Sequence, residues 1–529
     1  MDSKMTAIFS LVLVFCSVSY VSPLKVLGLF PYGAPSHYFL GNELLKGIAE
    51  AGHDVTIITV YEEKNPPKKG TYRQLVLKEV LNMQYELFAN MSNLNDEDSY
   101  ASKSPFGMLS IFNMVGLTVT EATLSHPTVQ ALIKSGEKFD VMILTQYAVE
   151  ATKALAAHFG AHLILYNDNA ATCWVNHFVG NSGLPSLNPE LIFDYPQLMN
   201  FKQRLTNTLY TIATYINHNF VQYPAHAQLI KKYVSKDMDL TKIQYDVALV
   251  LSNSHPSLNN PAPSVPCMKE IAGYHVKEPK PLPADLKKYL DESKNGVIYF
   301  SMGSNIYSNS FPKEKRESIM KAFSKRKENI LWKFEDTELP GKPNNVRIEK
   351  WLPQSDLLAH PNVKLFITHG GFLSTIETLY HGIPTVSVPV VNDQQTNARQ
   401  AEKNGYSIVV DYNTLTEEQL SAAIEKILSD PKYRENAKSR SKIFHDRPVK
   451  PMDEAVFWVE YVARHNGAKH LRVGYVELAW YQYYLLDVFG LIFGAIFLVL
   501  YVIKKTLGFL CSLVCGGKPK PEEKKVKKP

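Results

Sequence analysis

Two successive series of short apolar strands and amphipathic helices run along this chain, and this repetition restricts the possible folds more than any other feature. Residues 25–30 form an apolar strand, residues 37–51 have helical spacing, and residues 55–60 form the next strand. This order predicts a βαβ unit. The same order recurs in residues 139–144, 149–159 and 162–166. We therefore expect a parallel sheet covered by helices in the N-terminal half.

A proline-rich segment at residues 277–284 separates the two series. Its prolines suppress helix and sheet alike. Beyond it, strands are predicted at residues 296–300, 329–334, 363–368 and 385–389, with helical segments such as 312–326 between them. Two nucleotide-binding-type α/β domains in tandem leave a cleft, which is where ligands of such folds bind. We predict that the domains cover residues 23–276 and 285–470.

The two ends of the chain predict a membrane-anchored protein with a luminal body. Residues 1–19 resemble a secretory signal peptide, and residues 485–503 are long and apolar enough to span a bilayer. Trp480 before this span and Lys504 after it match an interfacial aromatic belt and a cytosolic basic flank. Residues 504–529 form a basic tail that accounts for the whole net charge of +6. The luminal body is therefore neutral, which argues against a nucleic-acid partner.

Three smaller features bear on the compartment. Residues 525–529 resemble the dilysine signal that returns type I membrane proteins to the endoplasmic reticulum, so we expect a single-pass protein of that membrane. The sequon at Asn90 predicts a glycosylation site and fits a luminal body. Cys173 and Cys267 lie between the predicted signal peptide and the span. They are too few for a disulfide framework, and whether they pair stays open.

The segment from residue 351 to 398 carries the densest group of candidate binding residues. A strand that ends at Thr368 delivers His369 and Gly371 into a tight turn before a helix. Backbone N–H groups and the helix dipole at such a turn bind a diphosphate, and His369 can add a donor. Glu377 follows on that helix at a distance suited to the hydroxyls of a ribose. These residues fit the diphosphate and ribose of a nucleotide sugar.

Other residues of the same segment suit a base and a sugar. Trp351 offers a flat face for a uracil ring, and Asp393 and Gln394 can hydrogen-bond several sugar hydroxyls. Taken singly these residues have plainer explanations, such as a turn for the His-Gly-Gly sequence and core packing for the tryptophan. Their joint order resembles the signature of the UDP-glycosyltransferase family. That signature covers Trp351, Gln354, His369, Gly371, Glu377, Asp393 and Gln394.

The resemblance extends over nearly the full length and is closest to insect members of the family. Residues 35–37 and 52–56 resemble its acceptor-binding domain, and residues 463–468 resemble the segment before its membrane anchor. The family implies a GT-B fold, in which two Rossmann-like, doubly wound α/β domains face a cleft. It further implies a UDP-sugar as co-substrate, no cofactor or obligatory metal, inversion at the anomeric carbon, and lipophilic acceptors. By the same resemblance, the donor site includes Ser301, Gly303 and Ser304.

His37 lies at the first strand-to-helix junction, and its position matches the general base of the family. A histidine has an unperturbed pKa of about 6.5, so it can be neutral at working pH and take the acceptor's proton. A helix-capping or core histidine is the plainer alternative. The resemblance favours catalysis.

Two positions depart from the family pattern. Thr145 stands where the family commonly has an aspartate that orients and charge-balances the histidine. A hydroxyl cannot stabilise an imidazolium by charge, so we expect weaker proton transfer, with Glu150 on the next helix as a candidate substitute. Leu373 stands where vertebrate members carry asparagine, and Ser374 can take over that phosphate contact.

These features predict an inverting UDP-dependent hexosyltransferase that acts on a hydroxyl of a small lipophilic acceptor, as in detoxification. The insect resemblance favours glucose; glucuronate, which needs a cation such as Arg399 for its carboxylate, is the alternative. A non-catalytic carrier of lipophiles or UDP-sugar is a second hypothesis, and Thr145 is its only support. A nucleotide-sugar epimerase is a third, although such soluble enzymes need neither signal peptide nor anchor. The acceptor's identity and a homo-oligomeric state stay open.

Overall fold

The computed structural model describes residues 22–94, 104–170, 172–193, 195–304, 306–391, 393–514 and 516. The predicted signal peptide and the predicted retrieval signal lie outside these described residues. The chain divides into two compact units, one up to Val473 and one from Gly474 onward. The first unit contains both sheets.

The first sheet is built from the N-terminal half of the chain. Its strands are β1 (Lys25–Phe30), β2 (Asp54–Thr59), β3 (Thr71–Val76), β4 (Val141–Thr145), β5 (His162–Asn167), β6 (Val247–Ser252) and β7 (Met268–Glu270). All are parallel, in the order β3-β2-β1-β4-β5-β6-β7. The order reverses between β1 and β4, and ligands of such sheets bind beyond the carboxyl ends of the strands at this point.

Helices cover both faces of the first sheet. They are α1 (Pro35–Glu50), α2 (Lys78–Leu94), α3 (Pro105–Ser125), α4 (Pro127–Lys134), α5 (Lys153–Phe159), α6 (Cys173–Val179), α7 (Phe201–Asn217), α8 (Tyr223–Tyr233) and α9 (Leu240–Ile243). A short 3₁₀ turn at Glu150–Thr152 precedes α5, and a π turn at His218–Gln222 joins α7 to α8. Proline at the start of α1 fixes a helical φ where no N–H partner is needed. The helix buries Leu44 and Ile48 beneath the sheet.

The second sheet repeats the topology. Its strands are β8 (Val297–Ser301), β9 (Asn329–Lys333), β10 (Val346–Glu349), β11 (Val363–Thr368), β12 (Thr385–Ser387) and β13 (Ser407–Val409). They are parallel, in the order β10-β9-β8-β11-β12-β13, so the reversal falls between β8 and β11. The helices are α10 (Ala284–Glu292), α11 (Lys313–Ser324), α12 (Gln354–Leu358), α13 (Phe372–His381), α14 (Gln394–Lys403), α15 (Glu417–Ser429), α16 (Pro431–His445) and α17 (Pro451–Arg464).

The fold class expected from the sequence is confirmed. Each strand proposed above is present close to its predicted ends, because long buried strands of parallel sheets are continuous runs of Val, Ile and Leu. The helix expected at residues 149–159 differs: its first turn is the 3₁₀ turn at Glu150–Thr152, and α5 starts only at Lys153. Cys173 and Cys267 are both buried and free, so they do not form a disulfide.

Helix α17 follows the second sheet in the sequence but packs against the first sheet. Ala455, Val459 and Val462 of α17 are fully buried in the same apolar cluster as Val26 of β1 and Ile48 of α1. The predicted C-terminal domain, residues 285–470, therefore includes a helix that completes the core of the N-terminal one. The sequence of α17 alone could not show which sheet the helix packs against, since any amphipathic helix next to a sheet has the same pattern.

The second unit contains α18 (Trp480–Tyr483) and α19 (Leu486–Val514), after a 3₁₀ turn at Gly474–Glu477. The 29 residues of α19 have a mean hydropathy of 2.5 in their most apolar window, and none is buried, so this helix is a candidate membrane span. It extends beyond the predicted end at residue 503, because Lys504 and Lys505 do not interrupt a helix and apolar residues resume after them. Helix α3 is also long and apolar enough to span a membrane, but it is partly buried in the first unit.

Candidate active site

A cavity of about 1620 Å³ lies in the first unit and is lined by residues from both halves. The walls come from the loops after β1, β4 and β5 of the first sheet and after β8 and β11 of the second. All eleven donor-binding residues predicted from the sequence line it. They are Ser301, Gly303, Ser304, Trp351, Gln354, His369, Gly371, Ser374, Glu377, Asp393 and Gln394.

Two glycines hold the ring of His369 at the carboxyl end of β11. A Cβ on Gly303 would lie 2.5 Å from Cε1 of His369, and a Cβ on Gly371 would lie 2.3 Å from its Nε2. Gly303 also has a φ of +80°, which favours glycine. Gly371 is the N-cap of α13 and has no side-chain cap, so the first N–H groups of α13 face the cavity. A helix N-terminus of this kind suits an anion, as the sequence predicted for the diphosphate.

The ring of His369 is buried, and burial favours its neutral form. Burial, with a smaller effect from the charge of Lys333, lowers the pKa of His369 to about 4. Its Nδ1 is buried and has no partner among the described residues. Lys333, which also lines the cavity, donates from Nζ to the carbonyl oxygen of Gly303 at 2.8 Å. Lys333 was not predicted, since it ends β9 and belongs to none of the motifs recognised in the sequence.

A hydrogen-bond network centred on Gln354 includes Glu377, the residue predicted to bind the ribose. Gln354 accepts from the Tyr299 hydroxyl at 3.0 Å and donates from Nε2 to Ser374 at 3.0 Å and to Glu377. Burial raises the pKa of Glu377 to about 7, a shift opposed by the Gln354 hydrogen bond and supported by the charge of Asp356. Gln354 thus orients Glu377 towards the cavity.

The other predicted donor residues differ in what their side chains contact. Trp351 is 74% exposed on the cavity rim, so its ring face is open for stacking. Gln394 uses Oε1 to accept from the backbone N–H groups of Val390 and Val391, at 2.9 and 3.1 Å, so that oxygen shapes the loop. Asp393 accepts from Asn397 at 2.7 Å, and burial is the main cause that raises its pKa.

His37 faces the cavity from the start of α1 and has a carboxylate partner. Its Nδ1 lies 2.7 Å from Oδ2 of Asp168, at a poorer angle than an ideal hydrogen bond. Burial lowers the pKa of His37, but the charge and hydrogen bond of Asp168 outweigh it and the net pKa is raised. The pair also lowers the pKa of Asp168 against the effect of burial. Nε2 of His37 is left for an acceptor hydroxyl.

The histidine partner expected at Thr145 is therefore wrong. Thr145 ends β4, is buried, and does not line the cavity, whereas Asp168 follows β5, the next strand of the sheet. Glu150 is not a substitute either, because it lies within the core 3.7 Å from Lys153 and 3.9 Å from His218. The signal for Asp168 was present as an acidic residue directly after a strand, but the sequence could not show which loop reaches His37.

Two further predictions concern the rest of the chain. Asn90 lies within α2, and glycosylation there stays a prediction. No group of three or more His, Cys, Asp or Glu side chains in the described ranges could hold a metal ion. That the reaction needs no metal stays an expectation from the resemblance.

Two Rossmann-type domains that share one cavity, with a diphosphate turn in one and a histidine–aspartate pair in the other, define a nucleotide-sugar glycosyltransferase. A profile of the family described as "UDP-glucoronosyl and UDP-glucosyl transferase" matches residues 33–521. The chain is 37% identical over 513 residues to UDP-glycosyltransferase UGT5 of Dactylopius coccus, and the match covers 95% of each. It is 29% identical over 499 residues to UDP-glucuronosyltransferase 2B10 of Homo sapiens, with 92% of each covered.

Solved structures agree on the fold. A UDP-glucose: anthocyanidin 3-O-glucosyltransferase in complex with UDP superposes with a TM-score of 0.54 at 16% identity, covering 83% of this chain and 98% of that one. The chain belongs to the family of UDP-glucuronosyl and UDP-glucosyl transferases. It is a UDP-dependent hexosyltransferase with the GT-B fold.

Proposed function

We propose that this enzyme transfers glucose from UDP-glucose, with inversion, to a hydroxyl group of a small lipophilic acceptor. The observation that carries the proposal is the contact between His37 and Asp168, which line the same cavity as the donor residues. His37 takes the hydroxyl proton on Nε2 while the acceptor oxygen attacks the anomeric carbon. The bond from that carbon to the diphosphate breaks, and UDP leaves with the electron pair. Asp168 stabilises the imidazolium that forms.

The donor half meets the charge of the leaving diphosphate. The N–H groups at the start of α13, the ring of His369 and the ammonium of Lys333 all lie on the same wall. Fixed donors of this kind stabilise charge that develops in the transition state. The UDP-sugar is a co-substrate, and no step of the proposal requires a resident cofactor.

Glucose is favoured over glucuronate by two observations. Arg399, the candidate partner for a glucuronate carboxylate, pairs with Glu402 at 2.9 Å and does not line the cavity. A relative 34% identical over 468 residues, from Dactylopius coccus, is named UDP-glucosyltransferase 2. The non-catalytic carrier loses its only support, because the missing charge at Thr145 is supplied by Asp168.

Anchoring to the endoplasmic reticulum membrane is part of the proposal. Support comes from the exposed apolar helix α19 and from the signal peptide, sequon and terminal lysines expected from the sequence. In this arrangement the body is luminal, the protein is single-pass type I, and acceptors dissolved in the membrane lie near the enzyme. Conjugation of such compounds fits a role in detoxification.

The test is release of UDP by the purified full chain with UDP-glucose or UDP-glucuronate and a panel of phenols and flavonoids. We expect turnover with UDP-glucose and little with UDP-glucuronate, and loss of turnover in His37→Ala. Arg399→Ala should change neither donor's rate. Preference for UDP-glucuronate would refute the choice of sugar, and UDP binding without turnover of either donor would favour the carrier.

A further inference from the structure

Glu190 is a buried acid in the wall of the cavity that the proposed transfer reaction does not use. It is only 8% exposed and lies in the loop between α6 and α7. Asn207 of α7 fixes this loop: its Oδ1 accepts from the Glu190 N–H at 3.0 Å, and its Nδ2 donates to the carbonyls of Pro185 and Asn188 at 2.7 and 2.9 Å. These hydrogen bonds fix the backbone from which the Glu190 side chain extends.

The loop of Glu190 contacts the helix that follows Asp393. The carbonyl of Leu191 accepts from Oγ1 of Thr396 at 3.0 Å, and Thr396 belongs to α14, which begins directly after Asp393. Asp393 lines the cavity together with His37. Glu190 lines this same cavity.

Among the described residues, Glu190 has no cationic partner. One carboxyl oxygen accepts from the Cys173 N–H at 3.2 Å, and no ion pair within the described ranges includes this residue. Burial raises the pKa of Glu190 to about 7, against the smaller effect of its contacts with Cys173. A buried carboxylate without a counter-ion is costly, and a ligand cation placed beside it removes that cost.

Aromatic side chains share the cavity with Glu190. Trp174 and Tyr210 line the cavity with it, and Phe193 packs against Tyr210 with ring centroids 5.2 Å apart. Ring faces attract cations, and a carboxylate provides a charge-assisted hydrogen bond to an ammonium group. The combination fits an amine better than a second hydroxyl or an apolar end.

We infer that the acceptor half of the cavity binds hydroxyl compounds that carry an amine, with the ammonium group on Glu190 and the reacting hydroxyl at His37. The inference rests on the proposed function, because it names the acceptor class of that same site. Glu190 acts here as a specificity-determining residue and takes no part in the proton transfer.

The alternative is a purely structural role for Glu190 as an acceptor for the first N–H of α6. Glu190→Gln separates the two roles, because the amide oxygen of glutamine keeps this hydrogen bond while the charge is lost. Glu278→Gln is the matched control, since Glu278 also lines the cavity but is exposed at its rim.

The experiment compares 4-(2-aminoethyl)phenol with 4-ethylphenol, which present the same hydroxyl and differ in the amine. The measured ratio is kcat/KM for 4-(2-aminoethyl)phenol divided by kcat/KM for 4-ethylphenol. For the full chain with UDP-glucose, we expect this ratio to rise between pH 6 and 8, as the carboxyl group of Glu190 ionises. In Glu190→Gln the ratio at pH 8 should fall about tenfold and lose its pH dependence, as expected for a lost hydrogen bond to a charged group. Glu278→Gln should keep the wild-type ratio.

An equal loss on both phenols would show that Glu190 is only structural, and an unchanged ratio would show that it does not meet the amine; either result overturns the inference. Calorimetric binding of the amine to the UDP-loaded protein is measured in parallel. If the wild type turns over neither these two phenols nor the wider panel of acceptors, the proposed function fails, and the inference still stands or falls on whether Glu190→Gln weakens amine binding about tenfold.

Discussion

Replacement of Asp168 by asparagine should slow the transfer and change its pH dependence together. The charges of Asp168 and an imidazolium at His37 are centred about 4 Å apart, which gives about 4 kcal/mol at an effective dielectric constant of about 20. Since about 1.4 kcal/mol is a factor of ten in rate, this sets a ceiling of about a thousandfold. The side chains are 27% and 17% exposed, so solvent screens part of this energy. We expect a loss of about a hundredfold in kcat.

The pH dependence of kcat/KM tests the pairing of His37 with Asp168 independently. Burial alone lowers the pKa of His37, and Asp168 raises it above the ordinary value. Without the carboxylate, burial prevails and the pKa of His37 falls. Because the base must be neutral, the acid limb of kcat/KM in Asp168→Asn should move to lower pH while the plateau drops.

The assay is initial-rate UDP release from pH 5 to 9, with Thr145→Val as the control at the position expected from the sequence. Thr145 does not line the cavity, so its substitution should leave the limb in place. A plateau that Asp168→Asn does not lower, or a limb that moves to higher pH, would refute the assignment of Asp168 as the partner of His37.

Three further predictions concern donor binding and stability. Gly371→Ala places a Cβ 2.3 Å from Nε2 of His369, and it should weaken UDP binding about tenfold or more in a calorimetric titration; unchanged affinity would contradict the tight turn. The pKa of Glu377 is raised to about 7, so UDP should bind more tightly as pH rises from 6 to 8 and its carboxylate forms, and Glu377→Gln should abolish this dependence. Lys153→Met leaves Glu150 without its buried partner, and it should lower the free energy of unfolding in urea by about 3 kcal/mol or more, with partial recovery on adding Glu150→Gln.

The sequence predicted most of the fold and the donor half of the site for a physical reason. Buried parallel strands are continuous apolar runs, and the turn after β11 needs glycines in a fixed order around His369. Such features are local, so they can be read along the chain. Every predicted donor residue accordingly lines the cavity.

The acceptor half depends on contacts between distant segments. Asp168 reaches His37 from the loop after β5, and Glu190 is placed by Asn207 and by the contact of Leu191 with Thr396. Asp168 comes just after a predicted strand, but the sequence does not show that its loop reaches His37, and nothing local distinguishes Glu190 from a surface acid. The packing of α17 on the first sheet was hidden for the same reason.

The most direct test of the account is the stereochemistry and rate of transfer from UDP-glucose to a simple phenol, followed by NMR of the product. The account predicts a β-glucoside from the α-linked donor with the wild type, and a rate reduced at least about a hundredfold in His37→Ala, as expected for a lost general base. An α-glucoside, or a His37→Ala variant that keeps the wild-type rate, would contradict an inverting transfer with His37 as the base.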